Sequence, residues 1–199
     1  MGQIGTKGVA RAERRRQLVH EAVEELGRKG YDGASMSDVA ARAGVSKSMV
    51  HNVFGSKADL ATACLEEVGP GLIASVAAAQ TATDPGRRAH DTFTAIFTAM
   101  ADHRHAWALI NDETLPAGSP AAALAMDYRV RLRTMGTVGT RDVLAAAGLD
   151  DPLDHDLLDR IWESIVDAAV RWWQGHEDHS AQDMAARLTR LLSAVTLRG

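Results

Sequence analysis

Several residue types that would define a class of protein are scarce in this sequence. Among 199 residues there is one cysteine, Cys64, and a single thiol cannot form a disulfide within the chain. Aromatic residues make up 5% of the chain, and the alternation of β-branched or aromatic residues with polar ones that marks strands is nearly absent. Alanine-rich segments with a helical period dominate instead. The sequence therefore predicts an all-α protein without structural disulfides.

Signatures of membrane proteins and enzymes are missing as well. We find no apolar run that would span a bilayer, and the N-terminal MGQIGTKGVARAERRR carries charge without the apolar stretch of a secretory signal. The chain also has no glycine-rich phosphate loop, no nucleophile elbow and no paired-carboxylate pattern. We therefore expect a cytoplasmic protein that is not an enzyme and has no membrane partner.

Histidines occur in two short polar clusters, HRH at residues 103–105 and HEDH at residues 176–179. Such spacings suit a metal ion only when a third and a fourth ligand come from elsewhere, and none is evident. Cys64 likewise lacks a partner for a redox disulfide. We expect no metal site and no cofactor.

Positive charge is concentrated near the N-terminus, although the net charge is -4. Residues 1–60 hold ten Lys and Arg against seven Asp and Glu, while residues 61–199 hold twelve against nineteen. Four arginines cluster at Arg11, Arg14, Arg15 and Arg16. Such a run is as often a solvated helix face as a binding surface. The charge polarity of the whole chain is typical of a two-part protein whose basic end binds an anion.

Glycines that end predicted helices indicate how the chain is divided into two parts. Gly30 and Gly44 end the first and second predicted helices, and Gly55 separates the third from a longer fourth. We predict an N-terminal three-helix domain at residues 1–56, with a basic tail over about 1–10, and a helical bundle at residues 57–199. Residues 69–71 (GPG) should interrupt or kink the fourth helix. Two helices, about 152–175 and 180–197, close the chain.

Two short helices joined by residues 43–46 (AGVS) have the spacing of a helix-turn-helix. Gly44 supplies the positive φ that the tight turn needs, and an apolar core around Val50 and Phe54 would fix the two helices. The second helix then turns a polar surface outward, which suits the base edges and phosphates of a major groove. That surface consists of Lys47, Ser48, Met49, His51 and Asn52.

Three further positions near these helices are suited to phosphate. Ser35 and Ser46 lie at helix starts, where hydroxyls and free backbone amides can meet phosphate oxygens. Lys57 lies at the start of the next helix, where a cation is unfavourable for the helix dipole, so an anionic partner would explain it. The alternative is a helical hairpin that packs against the rest of the protein and does not bind DNA. Spacing alone does not decide between this hairpin and a DNA-binding helix-turn-helix.

The stretch from residue 30 to residue 60 reads GYDGASMSDVAARAGVSKSMVHNVFGSKADL. Its ordered pattern is carried by Gly30-Tyr31, Ser35, Val39-Ala40, Ala43-Gly44-Val45-Ser46, Phe54, Ser56-Lys57 and Leu60. Through this pattern, residues 12–65 resemble the DNA-binding domain of the tetracycline-repressor (TetR) family. The resemblance implies that Ser35 and Lys57 hold phosphates and that residues 47–52 lie in or beside the major groove.

Three positions depart from the residues usual in the family. His51 stands where tyrosine is usual, Met49 where threonine is frequent, and Ser48 where glycine is frequent. Histidine still donates to phosphate, with a charge that depends on pH. The departures leave the operator sequence open. They also leave open a rival hypothesis, a helical small-molecule-binding protein with a degenerate DNA-reading head.

The resemblance also implies a C-terminal helical bundle for ligand binding and dimerisation. The last two helices carry apolar stripes too wide for one neighbour to cover, which favours a four-helix interface with a second copy of the chain. Trp172 and Trp173 are adjacent and so point to different sides, and one could face the partner. Packing within a monomer is the alternative. The expected interface residues are Leu158, Ile161, Ile165, Trp172, Trp173, Leu188, Leu191, Leu192 and Val195.

An effector pocket is expected inside this bundle, between the helices that precede the dimerisation pair. Such pockets have mostly apolar walls with a few polar groups, and ordinary core packing is the alternative for each residue. Arg129 could meet an acidic ligand or pair with a nearby carboxylate. The expected pocket residues are Phe93, Phe97, Met100, Trp107, Met126, Arg129 and Trp162.

Together these features predict a homodimeric, ligand-responsive repressor whose partners are double-stranded DNA and an unidentified small molecule. Its two recognition helices would enter successive major grooves of a near-palindromic site. The ligand would shift the protein toward a state in which the reading heads are wrongly spaced. An activator of the same family is the alternative within this class.

Overall fold

The computed structural model describes residues 6–196, and the side-chain exposure of residues 11–191 and 194. Within that part of the chain all regular secondary structure is helical, so the predicted fold class is confirmed. A 3₁₀ turn, Ala79–Thr81, follows the fourth helix. The α-helices are α1 (Thr6–Gly33), α2 (Met36–Arg42), α3 (Lys47–Phe54), α4 (Lys57–Ala78), α5 (Pro85–Ala99), α6 (Ala106–Ile110), α7 (Pro120–Ala146), α8 (Pro152–Gln174) and α9 (Ala181–Thr196).

The chain divides into two compact units. The first comprises the described part of Met1–Gly69 together with His105–Asp127. The second comprises Pro70–Arg104 with the described part of Tyr128–Gly199. Helix α6 thus belongs to the same unit as α1, α2 and α3, a grouping that no sequence pattern indicates. The functional boundary expected at residues 56 and 57 stays a prediction.

Helix α1 buries the apolar stripe that the sequence predicts, and Leu18, Val23 and Leu26 are at most 1% exposed. Its regular geometry breaks at Gly30, which has φ 73° and ψ 164°, so the helix stop predicted there is confirmed. Segment 105–114 lies against this helix. The Nδ1 of His105 is 2.5 Å from Oε2 of Glu24. This contact and the packing of α6 against α1 hold the two helices together within the first unit.

Helix α4 continues through Pro70, so residues 69–71 do not interrupt it, and the kink expected as the other possibility stays a prediction. Proline removes one backbone donor, but Val68, Leu72 and Ile73 around it are buried and hold the helix in place. The stretch Lys57–Thr81 is also long and apolar enough to cross a membrane, contrary to expectation. More than half of its apolar window is buried inside the protein, and a buried core helix satisfies the same criteria of length and composition.

An aromatic core holds the second unit together. The rings of Phe93 and Trp162 are tilted with their centroids 4.8 Å apart, and Phe97 meets Trp173 edge-on at 5.3 Å. Aromatic pairs prefer such offset and edge-to-face arrangements. Phe93, Phe97 and Trp173 are nearly inaccessible to solvent. Helix α9 packs on α5 in the same unit.

Arg104 fastens the turn between α8 and α9. Its guanidinium lies 4.3 Å from the Trp173 ring, and it donates hydrogen bonds to the carbonyl oxygens of Trp173, His176 and His179 at 2.8 to 3.0 Å. Arg104 belongs to the first polar histidine cluster, and residues 176–179 form the second. The hydrogen bonds between them therefore stabilise the turn between α8 and α9.

Candidate nucleic-acid interface and ligand cavity

The turn before α3 has the geometry that the sequence predicts. Gly44 has φ 65°, in the left-handed region. Ser46 caps α3, because its Oγ accepts a hydrogen bond from the backbone N–H of Met49 at 3.3 Å and lies 2.9 Å from Oγ of Ser48. The predicted turn and cap are confirmed. The amides of Lys47 and Ser48 are the first of α3 and have no carbonyl partner within the helix, which makes this end suited to an anion.

Helix α3 has one buried side and one exposed side. Val50 is fully buried and Phe54 is 8% exposed, so these two side chains fix the helix in the first unit. All five residues predicted to read DNA are solvent-exposed: Lys47, Ser48, Met49, His51 and Asn52. The face that the sequence predicts is therefore available to a partner, whereas its contacts to bases stay a prediction.

Ser35 caps α2 with a hydroxyl that is already engaged. Its Oγ accepts from the backbone N–H of Asp38 at 3.1 Å and donates to Oδ2 of Asp38 at 2.8 Å. The hydrogen bond from Ser35, together with nearby Lys29, holds the pKa of Asp38 below its ordinary value. An anion at this helix start would meet the Asp38 carboxylate, so phosphate binding by Ser35 stays a prediction.

Lys57 is partly buried beneath the loop that joins α1 to α2. Its Nζ donates to the carbonyl oxygens of Tyr31 at 2.6 Å and Ala34 at 3.0 Å, and lies 4.2 Å from the Tyr31 ring centroid. An ammonium has three donors, so one N–H is left for a further acceptor. The unfavourable position of this cation at the start of α4 is thus offset by contacts inside the protein. Its predicted phosphate contact is untested.

Arginines on the N-terminal part of α1 add exposed positive charge. Arg11, Arg14, Arg15 and Arg16 are all exposed. The guanidinium of Arg15 lies 5.5 Å from the Phe54 ring centroid, which joins this cluster to the end of α3. The basic tail predicted over residues 1–10 lies outside the residues whose side chains the structure describes.

Other cations of the first unit are neutralised by a buried carboxylate. Glu25 is 1% exposed, and its carboxylate oxygens lie 2.5 Å from Lys29 Nζ and 3.0 Å from Arg28 Nη2. Burial raises the pKa of Glu25, but hydrogen bonds and charges from Lys29 and Arg28 outweigh it, so the pKa lies below its ordinary value. These two cations therefore support the fold of α1 and are not free for DNA.

The second unit contains a cavity of about 110 Å³ between α5, α7 and α8. Its wall is mostly apolar, with Trp162 and the backbone of Gly136 and Gly139 on facing sides. Polar atoms at the wall belong to Gln80, Arg88, Thr92 and Thr140. The apolar remainder is Pro85, Ala89, Met135, Val143, Leu158, Ile161 and Ile165.

The predicted pocket residues are divided between the two units. Trp162 lines the cavity, while Phe93, Phe97 and Met100 lie in the core of the second unit and Arg129 on α7 is partly exposed. Trp107 and Met126 belong to the first unit, and Met126 is 55% exposed. The structure thus gathers one of the seven residues at the cavity. The signal missed in the sequence is the pair of glycines in α7, which open space beside Trp162.

The predicted dimerisation residues also separate by exposure. Ile161, Trp172 and Leu191 are 44%, 37% and 57% exposed, and Leu158 and Ile165 are partly exposed at the cavity. Trp173 and Leu188 are 1% and 7% exposed within the chain itself, so they fill the core and cannot present a face to a partner. Their assignment to the interface stays a prediction that this burial does not support. Leu192 and Val195 lie outside the residues whose side chains are described.

Residues for metal or redox chemistry do not converge. Among the described residues, no group of three His, Cys, Asp or Glu side chains is arranged to hold a metal ion. Cys64 is fully buried, and this burial raises the pKa of its thiol well above the ordinary value. A buried thiol of this kind is inert toward oxidants.

A capped helix-turn-helix with an exposed polar recognition face, on an all-helical chain, defines a DNA-binding regulator. Residues 18–64 match the family model described as bacterial regulatory proteins, tetR family. The transcriptional regulator BetI of Rhizobium meliloti is 31% identical over 150 residues, which cover 73% of this chain and 71% of BetI. The chain belongs to the TetR family of transcriptional regulators.

Two further comparisons agree with this assignment. The transcriptional activator FasR of Mycolicibacterium smegmatis is 36% identical over 101 residues, which are 50% of this chain but only 46% of FasR. The ketosteroid transcriptional regulator KstR2 of Mycobacterium tuberculosis has the same fold, with a TM-score of 0.72 and 22% identity. That match covers 89% of this chain and 92% of KstR2. The chain therefore spans less than half of FasR and most of BetI and KstR2.

Proposed function

We propose that this protein is a homodimeric repressor that binds DNA through α3 and leaves its operator when a small molecule binds the second unit. The observation that carries the proposal is the exposed face of α3, where Lys47, His51 and Asn52 stand on a helix fixed from behind by Val50 and Phe54. Side chains on such a helix reach base edges and phosphates in a major groove. The first two amides of α3, which the Ser46 cap does not engage, suit a phosphate.

Dimerisation is supported by a stripe of exposed apolar side chains along α8. Leu153, Leu157 and Ile161 recur every four residues and are 77%, 58% and 44% exposed. Trp172 continues the same face near the end of the helix. Contiguous exposed apolar surface of this kind marks a protein interface, and a second copy of the chain supplies a self-complementary partner. A twofold dimer also matches a near-palindromic operator.

Regulation by a ligand is supported by the cavity of the second unit. A ligand that binds one conformation better than another shifts the population toward it, and here the favoured state would hold the reading heads at the wrong spacing. The name of KstR2 refers to ketosteroids, and a cavity of about 110 Å³ does not suit so large a molecule. We further propose that the protein acts in the cytoplasm and has no catalytic activity.

The decisive experiment is selection of bound sequences from a random DNA library, followed by fluorescence anisotropy with the selected site. We expect a near-palindromic motif and binding that resists unrelated competitor DNA at physiological salt. A triple variant, Lys47→Ala with His51→Ala and Asn52→Ala, should enrich no motif while keeping the helical content of the wild type. Failure of the wild type to enrich any motif would instead favour a helical ligand-binding protein with a degenerate reading head.

The sign of regulation needs a separate measurement. FasR is named as an activator, and this supports activation as the alternative to repression. Transcription in vitro from a promoter that carries the selected site distinguishes the two. A repressor lowers the transcript level when added alone, whereas an activator raises it.

A further inference from the structure

The size of the cavity in the second unit limits what it can enclose. Its volume of about 110 Å³ lies below the roughly 300–1,000 Å³ of pockets for drug-sized ligands. It is comparable with an engineered apolar cavity of about 150 Å³ that binds benzene. The part of a ligand that this cavity takes up is therefore on the order of one six-membered ring.

Charges at the cavity wall are already paired. Arg88 is the one ionisable residue of the wall among the described residues. Its Nε donates to the carbonyl oxygen of Ala82 at 2.9 Å, and its Nη1 lies 2.5 Å from Oδ2 of Asp142. On the other side, the carboxylate of Asp159 accepts hydrogen bonds from Thr137 and Thr140. A charged ligand in this mostly apolar space would lose hydration without gaining a free counter-charge.

Two uncharged hydrogen-bond donors remain at the wall, in addition to three N–H groups of Arg88 that neither Ala82 nor Asp142 engages. The Gln80 amide uses both of its hydrogens, because Nε2 donates to Val76 O at 3.1 Å and to Thr92 Oγ1 at 2.9 Å. Thr92 therefore accepts from Gln80, and its own hydroxyl hydrogen is left over. Within the described residues, neither that hydrogen nor the indole N–H of Trp162 has an acceptor. One oxygen on a ligand would satisfy either donor.

Two glycines of α7 create the open space. A Cβ at Gly136 would lie 3.1 Å from Cδ1 of Trp162, so the absence of a side chain lets the indole approach the helix. A Cβ at Gly139 would meet no atom within 4 Å, although this residue lines the cavity. A side chain at position 139 would therefore grow into empty space and not into the protein.

We infer that the ligand class of this cavity is a compact uncharged molecule with an apolar body of about one ring and a single hydrogen-bonding oxygen, as in phenol. The inference rests on the proposed function, of which it specifies the effector. The apolar wall supplies affinity, and the Thr92 hydroxyl and Trp162 indole orient the oxygen. Carboxylates of the same size bind more weakly, because the charge of the Arg88 guanidinium is already paired with Asp142, although three of its N–H groups are left over.

The test compares phenol with benzoate by isothermal titration calorimetry on the full chain. We expect phenol to bind the wild type and benzoate to bind at least about tenfold more weakly, because its charge is buried unpaired. Gly139→Leu should fill the cavity and weaken phenol binding by at least about tenfold, with a Tm no lower than that of the wild type, because leucine favours a helix over glycine. Gly71→Leu is the matched control, since position 71 is exposed on α4 and open. It should bind phenol as the wild type does.

Three results would overturn the inference: equal or tighter binding of benzoate, unchanged phenol affinity in folded Gly139→Leu, or no phenol binding by the wild type. If Gly139→Leu does not fold, Gly139→Ala provides a graded test, with a smaller loss of affinity expected from one methyl group. Failure of the proposed function has a different signature. In that case the wild type shows no specific DNA binding even in the absence of phenol and benzoate. The binding of phenol measured by calorimetry is not affected.

Discussion

The Nζ of Lys57 donates a hydrogen bond to the carbonyl oxygen of Tyr31 at 2.6 Å while lying 4.2 Å from the centroid of the same residue's ring. One side chain thus binds both the backbone and the aromatic face of a residue 26 positions earlier. A second hydrogen bond to Ala34 O extends the contact to the residue before the α2 cap. Lys57 therefore fixes the loop that leads into the helix-turn-helix, in addition to any phosphate that it binds.

Replacing this cation should affect both stability and DNA binding. We expect Lys57→Met to lower the free energy of unfolding by about 1.5–3 kcal/mol, the range for hydrogen bonds to a charged group. If the third N–H meets a phosphate, the slope of log affinity against log salt flattens by about one. Arg190→Met, which removes an exposed charge from α9, should change neither quantity. A destabilised variant with an unchanged slope would show that Lys57 is structural only.

Asn52 is expected to read a base pair. Asn52→Ala should change the preference among operator variants at one position by about 1–3 kcal/mol, because an asparagine amide pairs with a base edge through two hydrogen bonds. Gln182→Ala removes an exposed amide from α9 and should leave every variant unaffected. Anisotropy titrations against single-base operator variants give the comparison. Uniform weakening across all of them would mean that Asn52 contacts only the backbone.

Features that depend on neighbouring residues could be predicted from the sequence. The sequence predicts a positive φ at Gly44 and a helix start at Ser46 because the turn and the cap depend on local chemistry, and both are present. The exposed face of α3 followed from helical periodicity. By the same logic, Trp172 and Trp173 had to point to different sides, but periodicity does not say which one is buried.

Features that depend on tertiary contacts could not be predicted. Arg88 and Asp142 are 54 positions apart, and no periodic pattern indicates that they pair beside a cavity. The contact of segment 105–114 with α1 depends equally on packing. For this reason the sequence does not distinguish pocket from core, since apolar residues such as Phe97 and Met100 serve the core equally well. The glycines of α7 mark the cavity only once the facing helix is known.

The buried carboxylate of Glu25 should make stability depend on pH. Its pKa in the folded protein lies below the unfolded value of about 4.3. The ionised group therefore stabilises the fold above that pH, and its contribution disappears as the pH falls through the folded-state pKa. We expect Glu25→Gln to lower the Tm at pH 7 and to differ progressively less from the wild type below pH of about 4. Exposed Glu13→Gln should have little effect throughout.

Gly27 allows α1 to approach the segment that leads into α6. A Cβ at this position would lie 2.3 Å from the carbonyl oxygen of His105, and backbone cannot move aside as a flexible side chain does. Gly27→Ala should therefore cost about 1–3 kcal/mol of stability through overpacking. Gly33→Ala is the control in the same element, because its nearest neighbour is the Lys29 Cβ at 3.4 Å. Equal stability of the two variants in urea unfolding would contradict the tight contact.

The α8 stripe should determine the oligomeric state. Leu157 is 58% exposed within the chain, so an aspartate there costs a monomer little, whereas in a dimer it would bury two unpaired charges. We expect analytical ultracentrifugation to show a wild-type dimer and a folded Leu157→Asp monomer whose affinity for the selected operator falls. Leu149→Asp, at a position 47% exposed outside α8, should remain dimeric. If Leu157→Asp stays a dimer at the same concentration, the dimer interface lies elsewhere. Binding of a near-palindromic operator would then depend on dimerisation through another surface.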